Sequence, residues 1–201
     1  MVQRLVSVLK FALFVLAIPL IFAAVTGFIN EILLLDPSQS NCFFWGIISY
    51  LLFHLFIAEP TAVYQYGKGL VADIFKFFQP LVVVAPLILP IFAIFFLILL
   101  YLAPFVIKTV DLSLYFLFFA SFTFAMHLVL TAKELRAQDA QTLRSDYFFS
   151  MTLVFFVSVL AMAGMIDLCL NRFSFIQFLK TTLTIASDIY QAIFNQLFIP
   201  R

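Results

Sequence analysis

The chain contains five stretches without a single charged residue, and their length constrains its fold more than any other feature. Each is about 20 residues long or longer, the length that a helix needs to cross the hydrocarbon core of a bilayer. Only helices and closed barrels satisfy their backbone polar groups in lipid, and continuous apolar runs lack the alternation of barrel strands. The sequence therefore predicts an all-α integral membrane protein with about five transmembrane helices, within residues 11–30, 37–58, 77–107, 112–132 and 147–166.

Composition supports this fold class, because 65% of the 201 residues are hydrophobic and only 10% are charged. Soluble domains carry about 25% charged residues. The net charge of +1 gives no basis for nucleic-acid binding, so the expected partners are the lipid bilayer and other membrane proteins. The apolar run after Lys10 continues to Ile29 without an obvious cleavage site, and we interpret it as a retained helix rather than a signal peptide.

The C-terminal part of the chain has a different pattern. Apolar residues recur at helical spacing over 175–197, while Lys180 and Asp188 lie on another face. The sequence therefore divides into a transmembrane helical bundle, residues 1–170, and an amphipathic C-terminal helix, residues 171–201. This helix can pack on its own bundle, lie on the membrane, dock on a partner or cross as a sixth span, and the pattern leaves these alternatives open.

The positions of lysine and arginine predict the orientation of the bundle. Positive residues collect in the N-terminal segment and in segments 59–79 and 133–146, whereas the loop 30–41 has none. Cytoplasmic loops carry the excess of lysine and arginine, so these three segments are predicted to be cytoplasmic. Such short positive loops are typical of a bacterial inner membrane protein with a cytoplasmic N-terminus.

The third apolar stretch is interrupted by Pro80, Pro86, Pro90 and Pro104. Proline removes a backbone donor and kinks a helix, so we expect a kink at Pro86 and Pro90. A broken span can line a cavity, as in transporters, or merely bend a helix around its neighbours. At 31 uncharged residues the stretch is too short for two full crossings.

Few side chains within or beside the apolar stretches carry chemistry. His54, His127 and Asp167 are the intramembrane polar candidates, because ionisable groups at this depth are costly and often functional. Two histidines are an incomplete zinc site, and a neutral histidine bonded to a backbone carbonyl is the simpler interpretation; a metal or proton-relay role stays open. Cys42 and Cys169 can form a disulfide or remain two separate thiols.

One region resembles a bacterial integral-membrane family related to the site-2-protease-like (M50-type) metallopeptidases. In that family an aromatic-Gly pair leads into His-Glu-Leu-Thr-His, and an Ala-Pro element, a histidine-bearing helix, a polar loop and Tyr-Phe-Phe-Ser follow in order. The resemblance spans about residues 43–190. Its elements are Val-Tyr-Gln-Tyr-Gly-Lys-Gly-Leu-Val-Ala at 63–72, Val-Ala-Pro-Leu-Ile-Leu-Pro at 84–90, Ala-Met-His-Leu at 125–128, the loop 138–144, and Tyr-Phe-Phe-Ser at 147–150.

The chain departs from this family at the residues that would bind zinc. The peptidases use two histidines one helical turn apart and a glutamate that activates water. Here those positions are Lys68, Gly69 and Ala72, none of which can serve. The resemblance thus implies a pseudoprotease without metal or other cofactor. If the resemblance is a coincidence, residues 67–69 are expected to form an interfacial turn. The degenerate motif comprises Tyr66, Gly67, Lys68, Gly69, Leu70 and Ala72.

The sequence leaves three functions to compare. The first, which we favour, is a non-catalytic scaffold or accessory subunit of a membrane complex. The second is a transporter or channel component that uses the proline-broken third span. The third is a membrane metalloprotease with ligands that the motif does not reveal. Nucleophile-elbow, Walker A and dinucleotide-binding motifs are missing from the sequence, so no other enzyme class is indicated.

Overall fold

The computed structural model describes residues 2–106, 112–138, 144–170 and 172–198, and this part of the chain is all-helical, with eight α-helices and no strand. Residues 107–111, and residues 139–143 of the predicted polar loop, lie outside the described residues. The helices are α1 (Val2–Leu33), α2 (Pro37–Phe56), α3 (Thr61–Ile74), α4 (Gln79–Ile88), α5 (Ile91–Val106), α6 (Ser113–Gln138), α7 (Arg144–Cys169) and α8 (Phe175–Phe198).

Several helices are long and apolar enough to cross a membrane, which is compatible with an integral membrane protein. In the described part these are α1, α6 and α7, and the bent pair of α4 and α5 is a fourth if it counts as one span. The structure thus offers fewer candidate spans than the five that the uncharged stretches predict. The difference lies in α2, whose first two turns carry Ser38, Gln39 and Asn41, so that its apolar part is short.

Prolines set several helix boundaries. Pro37 opens α2, where its missing N–H costs nothing, and Pro60 directly precedes α3. Pro90 separates α4 from α5, and Leu89 before it has the extended backbone that a following proline favours, with φ −91° and ψ 115°. The axes of α4 and α5 differ by 65°. The third apolar stretch is therefore two helices joined at Pro90, while Pro86 lies inside α4.

Glycine allows α2 and α6 to pack closely. A Cβ atom on Gly46 of α2 would lie 1.9 Å from Ser121 Oγ and 2.4 Å from the Phe118 carbonyl oxygen of α6. Ser121 is fully buried. Small residues that let backbones approach are a usual device of helix pairs in membranes. This contact fixes the position of α2 against α6, and thereby the positions of Tyr50 and His54, which are on α2.

The C-terminal helix α8 lies lengthwise against α1. The Phe28 and Phe178 rings are 6.2 Å apart, and Tyr190 donates a hydrogen bond to the Leu16 carbonyl. Since the partner on α1 moves toward the N-terminus as α8 proceeds, the two helices are antiparallel. The tail thus packs on its own bundle, with Thr182 among its buried residues.

Candidate functional site

The break between α4 and α5 frees backbone carbonyls, and side chains from two other helices bind them. Proline has no N–H, so the last carbonyls of α4 lack the helical partners that a continuous helix would supply. His127 Nε2 of α6 lies 3.0 Å from the Leu87 carbonyl oxygen, and Ser158 Oγ of α7 donates to the Ile88 carbonyl at 2.8 Å. Both polar side chains are buried. Side chains of α6 and α7 therefore supply the hydrogen bonds that these carbonyls lack at the break.

His127 makes the carbonyl hydrogen bond that the sequence suggested for a buried histidine. Since a carbonyl only accepts, Nε2 must carry the proton. Its ring also lies 6.1 Å from that of Tyr64. His54 is separate: its Nδ1 lies 3.4 Å from the hydroxyl of Tyr50 one turn earlier on α2. The two histidines serve different helices and share no hydrogen-bond partner within the described residues.

A polar network connects α3 to α6 beside this break. The Tyr64 hydroxyl donates to Glu134 Oε2 at 3.2 Å and lies 2.8 Å from Thr131 Oγ1. Because a phenol has one proton, the threonine hydroxyl is the donor in its own bond to Tyr64. Lys68 Nζ is 2.5 Å from Glu134 Oε1 and 5.7 Å from the centre of the Tyr64 ring. These four side chains thus form one hydrogen-bonded network.

The network is largely withdrawn from solvent. The Lys68 and Glu134 side chains are 19% and 21% exposed, and Tyr64 and Thr131 are buried. Burial raises the pKa of the Tyr64 hydroxyl well above its usual range, and the charge of Glu134 adds to the effect. Tyr64 therefore stays protonated at any physiological pH and remains a donor to the carboxylate.

Three residues of the degenerate motif border one groove. The groove has a volume of about 370 Å³ and lies between α3, α4 and α6. Lys68, Gly69 and Ala72 line it from α3, and Glu134 lines it from α6. Nothing lies within 4 Å of a Cβ placed on Gly69, so this wall is open. The remaining lining is Gln65, Val82, Val83, Pro86 and Leu87.

The rest of the motif has structural roles. Residues 67–69 lie within the helix α3, so the expectation of an interfacial turn there is wrong. A Cβ on Gly67 would lie 2.5 Å from the Phe92 ring, so this glycine lets α3 approach α5. Tyr66 is exposed on the outer face of α3, as is Leu70. Of these six residues, only Lys68, Gly69 and Ala72 reach the groove.

The kink itself encloses little space. Pro86 and Pro90 line a cavity of about 10 Å³ together with Tyr64, Lys68 and His127. That volume has room for at most one water molecule. The broken span is therefore packed at its kink, and the accessible space is the neighbouring groove.

The structure offers few metal ligands. Within the described residues, no group of three or more His, Cys, Asp and Glu side chains could hold a metal ion. Lys68 occupies the groove with its ammonium, which repels cations and binds the Glu134 carboxylate instead. Zinc sites need three or four ligands, so the described part of the groove lacks the donor set.

The remaining predicted polar residue holds a helix end. Asp167 Oδ1 accepts a hydrogen bond from the Phe175 N–H at 3.0 Å, at the start of α8. Arg172 pairs with Asp36 at 2.6 Å. The cysteines do not pair: both are free thiols, and Cys169 Sγ points to the Leu97 carbonyl at 3.2 Å.

Sequence reasoning missed Tyr64, Thr131, Glu134 and Ser158. The signal was nevertheless present, because Tyr64 and Lys68 are four residues apart and Thr131 and Glu134 are three apart. Such spacings put polar groups on one helix face. Comparison of the chain with known protein families, with characterised proteins and with solved structures finds no match.

Proposed function

We propose that this chain is a non-catalytic membrane protein, a pseudoprotease that acts as a scaffold or accessory subunit of a membrane complex. It would cross a bacterial inner membrane about five times, with its N-terminus in the cytoplasm. One observation carries the proposal: the three motif positions that would bind and activate zinc converge on one groove, where Lys68 is held by Glu134.

The chemistry of that groove supports a role without catalysis. A zinc peptidase needs neutral imidazoles for the metal and a free carboxylate for the water. Lys68 supplies a cation, Gly69 has no side chain and Ala72 has no ligand atom. Glu134, the acidic side chain that lines the groove, accepts bonds from Lys68 and Tyr64. The groove thus retains a shape and a neutralised charge pair but no reactive group.

Isolation from native membranes tests the proposal. The complete chain is purified in mild detergent, and every co-eluting protein is quantified by mass spectrometry. We expect one membrane protein in fixed ratio to the chain, and no bound zinc. A chain that elutes without any stoichiometric partner, or that carries zinc and cleaves membrane peptides, contradicts the proposal.

The open groove beside a proline-broken span favours a second candidate, a transporter or channel component. One observation speaks against this candidate. His127 and Ser158 already form hydrogen bonds with the carbonyls that a transported ion would need. The two candidates differ in a vesicle assay with the protein alone. Transport would produce a flux that Gly69→Leu blocks by filling the groove. Gly164→Leu is the matched control, since nothing lies within 4 Å of its Cβ either.

A further inference from the structure

The position of α8 beside α1 determines how deep α8 lies. At one end the Ser174 N–H lies 3.4 Å from Glu31 Oε2 of α1. Further along, a Cβ on Gly27 would be 2.7 Å from Thr182 Oγ1, and then Tyr190 reaches Leu16. Since α1 carries no charge from residue 11 to residue 30, α8 runs along this apolar part of α1. If α1 crosses the bilayer, residues 182–190 of α8 lie within the hydrocarbon.

One exposed face of α8 does not suit that depth. A polar stripe runs along the helix on a side that contacts neither α1 nor the rest of the bundle. Asp188 of this stripe lies between the levels of Gly27 and Leu16 on α1, near the middle of the apolar length. Neither Asp188 nor Lys180 has a hydrogen-bond or ion-pair partner among the described residues. The polar stripe consists of Gln177, Lys180, Thr184, Asp188, Gln191 and Asn195, all exposed.

Lipid cannot cover this stripe at low cost. Charged side chains at the centre of a bilayer are expensive, and those found there pair with one another, face a bundle interior or line a water-filled path. The neighbouring edge of α8 is apolar and exposed, with Leu183 65% and Phe194 57% accessible, and it suits lipid. The polar stripe is therefore the side of α8 that needs a protein neighbour.

We propose that the polar stripe of α8 binds a transmembrane helix of a partner protein, and that this helix carries a basic residue opposite Asp188 and an acidic residue opposite Lys180. The inference rests on the proposed function, because it names the surface through which the scaffold would hold its partner. Lys180 and Asp188 are eight residues apart, about 12 Å along the helix. The partner must present its two charges at that spacing, while Gln177, Gln191 and Asn195 form hydrogen bonds beside them.

A second copy of this chain does not fit the stripe. A twofold axis along the membrane normal would place Lys180 opposite Lys180 and Asp188 opposite Asp188, and like charges repel. The charges would match only between copies inserted in opposite orientations. The lysine and arginine bias of the loops gives the chain a single orientation. The partner that fits the polar stripe is therefore a different protein with complementary charges.

Energy transfer in vesicles tests the proposal with the complete chain. The labelled protein is reconstituted in phosphatidylcholine vesicles with labelled leucine-alanine peptides of about 20 residues, long enough to span. The matched peptide carries lysine at its centre and aspartate eight residues away. The exchanged peptide has the two charges swapped, and a third peptide has none. We expect the matched peptide to bind about tenfold more tightly than either control.

Variants make the test specific to the stripe. Asp188→Asn is expected to abolish the preference, and the double variant K180D/D188K to transfer it to the exchanged peptide. Leu183→Ala on the apolar edge is the control and keeps the preference. Equal binding of the three peptides overturns the proposal, as does a dimer of the complete chain that Asp188→Asn dissociates.

Co-purification separates this inference from the proposed function. If a stoichiometric native partner stays bound to the variants Asp188→Asn and Lys180→Gln, the polar stripe is not its binding surface and the proposed function stands. If the peptide preference appears but no native partner accompanies the chain, the stripe stands as a binding surface and the scaffold function fails.

Discussion

The Lys68 ammonium lies 2.5 Å from the Glu134 carboxylate, and this pair joins α3 to α6 at the groove between α3, α4 and α6. The pair is about four-fifths withdrawn from solvent on both sides. Tyr64 donates to the same carboxylate, so the charge of Glu134 has two donors from one helix face. The ion pair thus fixes α3 against α6. It also neutralises the charges of Lys68 and Glu134 in the groove.

Breaking this pair from one side should cost more than removing it entirely. Lys68→Met leaves a largely buried carboxylate without its partner, and Glu134→Gln leaves a largely buried ammonium. We expect the double variant to be more stable than the sum of the single losses, with a coupling energy of about 1 to 2 kcal/mol. The free energy of unfolding is measured by SDS titration in mixed micelles. Strictly additive losses would show that the two charges do not interact.

The helix break should depend on its two donors. Ser158→Ala leaves the Ile88 carbonyl without its bond, and His127→Leu does the same for Leu87. Each loss should cost about 1 to 3 kcal/mol, because a buried carbonyl goes unsatisfied. His127→Gln keeps an N–H donor and should recover part of the stability. Thr152→Ala is the control. Thr152 is on the same helix as Ser158, but its hydroxyl donates to the Phe148 carbonyl within that helix, so its loss should reduce the free energy of unfolding little.

The contact between α2 and α6 should not accept a methyl group at Gly46. The added Cβ would meet Ser121 Oγ and the backbone of Phe118, and backbone cannot move aside cheaply. Gly46→Ala should therefore destabilise the fold by about 1 to 3 kcal/mol, despite the better helix propensity of alanine. Gly164→Ala in α7 has open space and should be neutral or stabilising. Equal stability of the two variants would mean that α2 and α6 are further apart.

Acid should weaken the link between the α2–α3 connection and α6. Glu59 accepts a hydrogen bond from Lys133, and this bond lowers the pKa of the Glu59 carboxyl below its ordinary value of 4.5. A carboxylate with a lowered pKa stabilises the fold above its unfolded pKa, and that contribution disappears as the pH falls through the folded pKa.

The melting temperature below pH 4.5 measures this link. Below this pH the wild-type protein should lose melting temperature as Glu59 becomes protonated. The Glu59→Gln variant should show a smaller decrease, because it has no carboxylate at this position. Lys133→Met should have the same effect, and combining the two variants should add nothing. A pH profile that neither variant changes would exclude the pair as its source.

Much of the helical layout follows from the sequence alone. The uncharged stretches coincide with α1, α2, the pair α4 and α5, α6 and α7, because backbone groups in an apolar segment have no partner except the helix itself. The break near Pro90 follows from the missing N–H of proline. The amphipathic tail is equally visible, since its apolar residues repeat at helical spacing and α8 forms there.

The contacts of the site were not predictable in the same way. Lys68 and Glu134 are 66 residues apart, and Ser158 and Ile88 are 70 apart. Helical periodicity gives the face on which each side chain lies but not which other helix that face meets. The length of α2 also misleads, because its stretch is uncharged yet begins with polar, uncharged side chains that a count of charges ignores.

Introducing a zinc motif is the most direct test of the central proposal, which is that this groove corresponds to a zinc-peptidase site without its ligands. The triple variant K68H/G69E/A72H supplies two histidines one turn apart on the groove-lining face of α3, with Glu134 across from them as a third ligand. Zinc is measured in the purified, reconstituted protein by equilibrium dialysis and mass spectrometry of the metal.

We predict that the wild-type protein binds no zinc, that the triple variant binds about one ion per chain, and that adding Glu134→Gln removes it. Unchanged helicity and elution volume show that each variant is folded. Stoichiometric zinc on the wild-type protein would contradict the non-catalytic account. A folded triple variant without zinc would contradict the proposal that this groove corresponds to a metallopeptidase site.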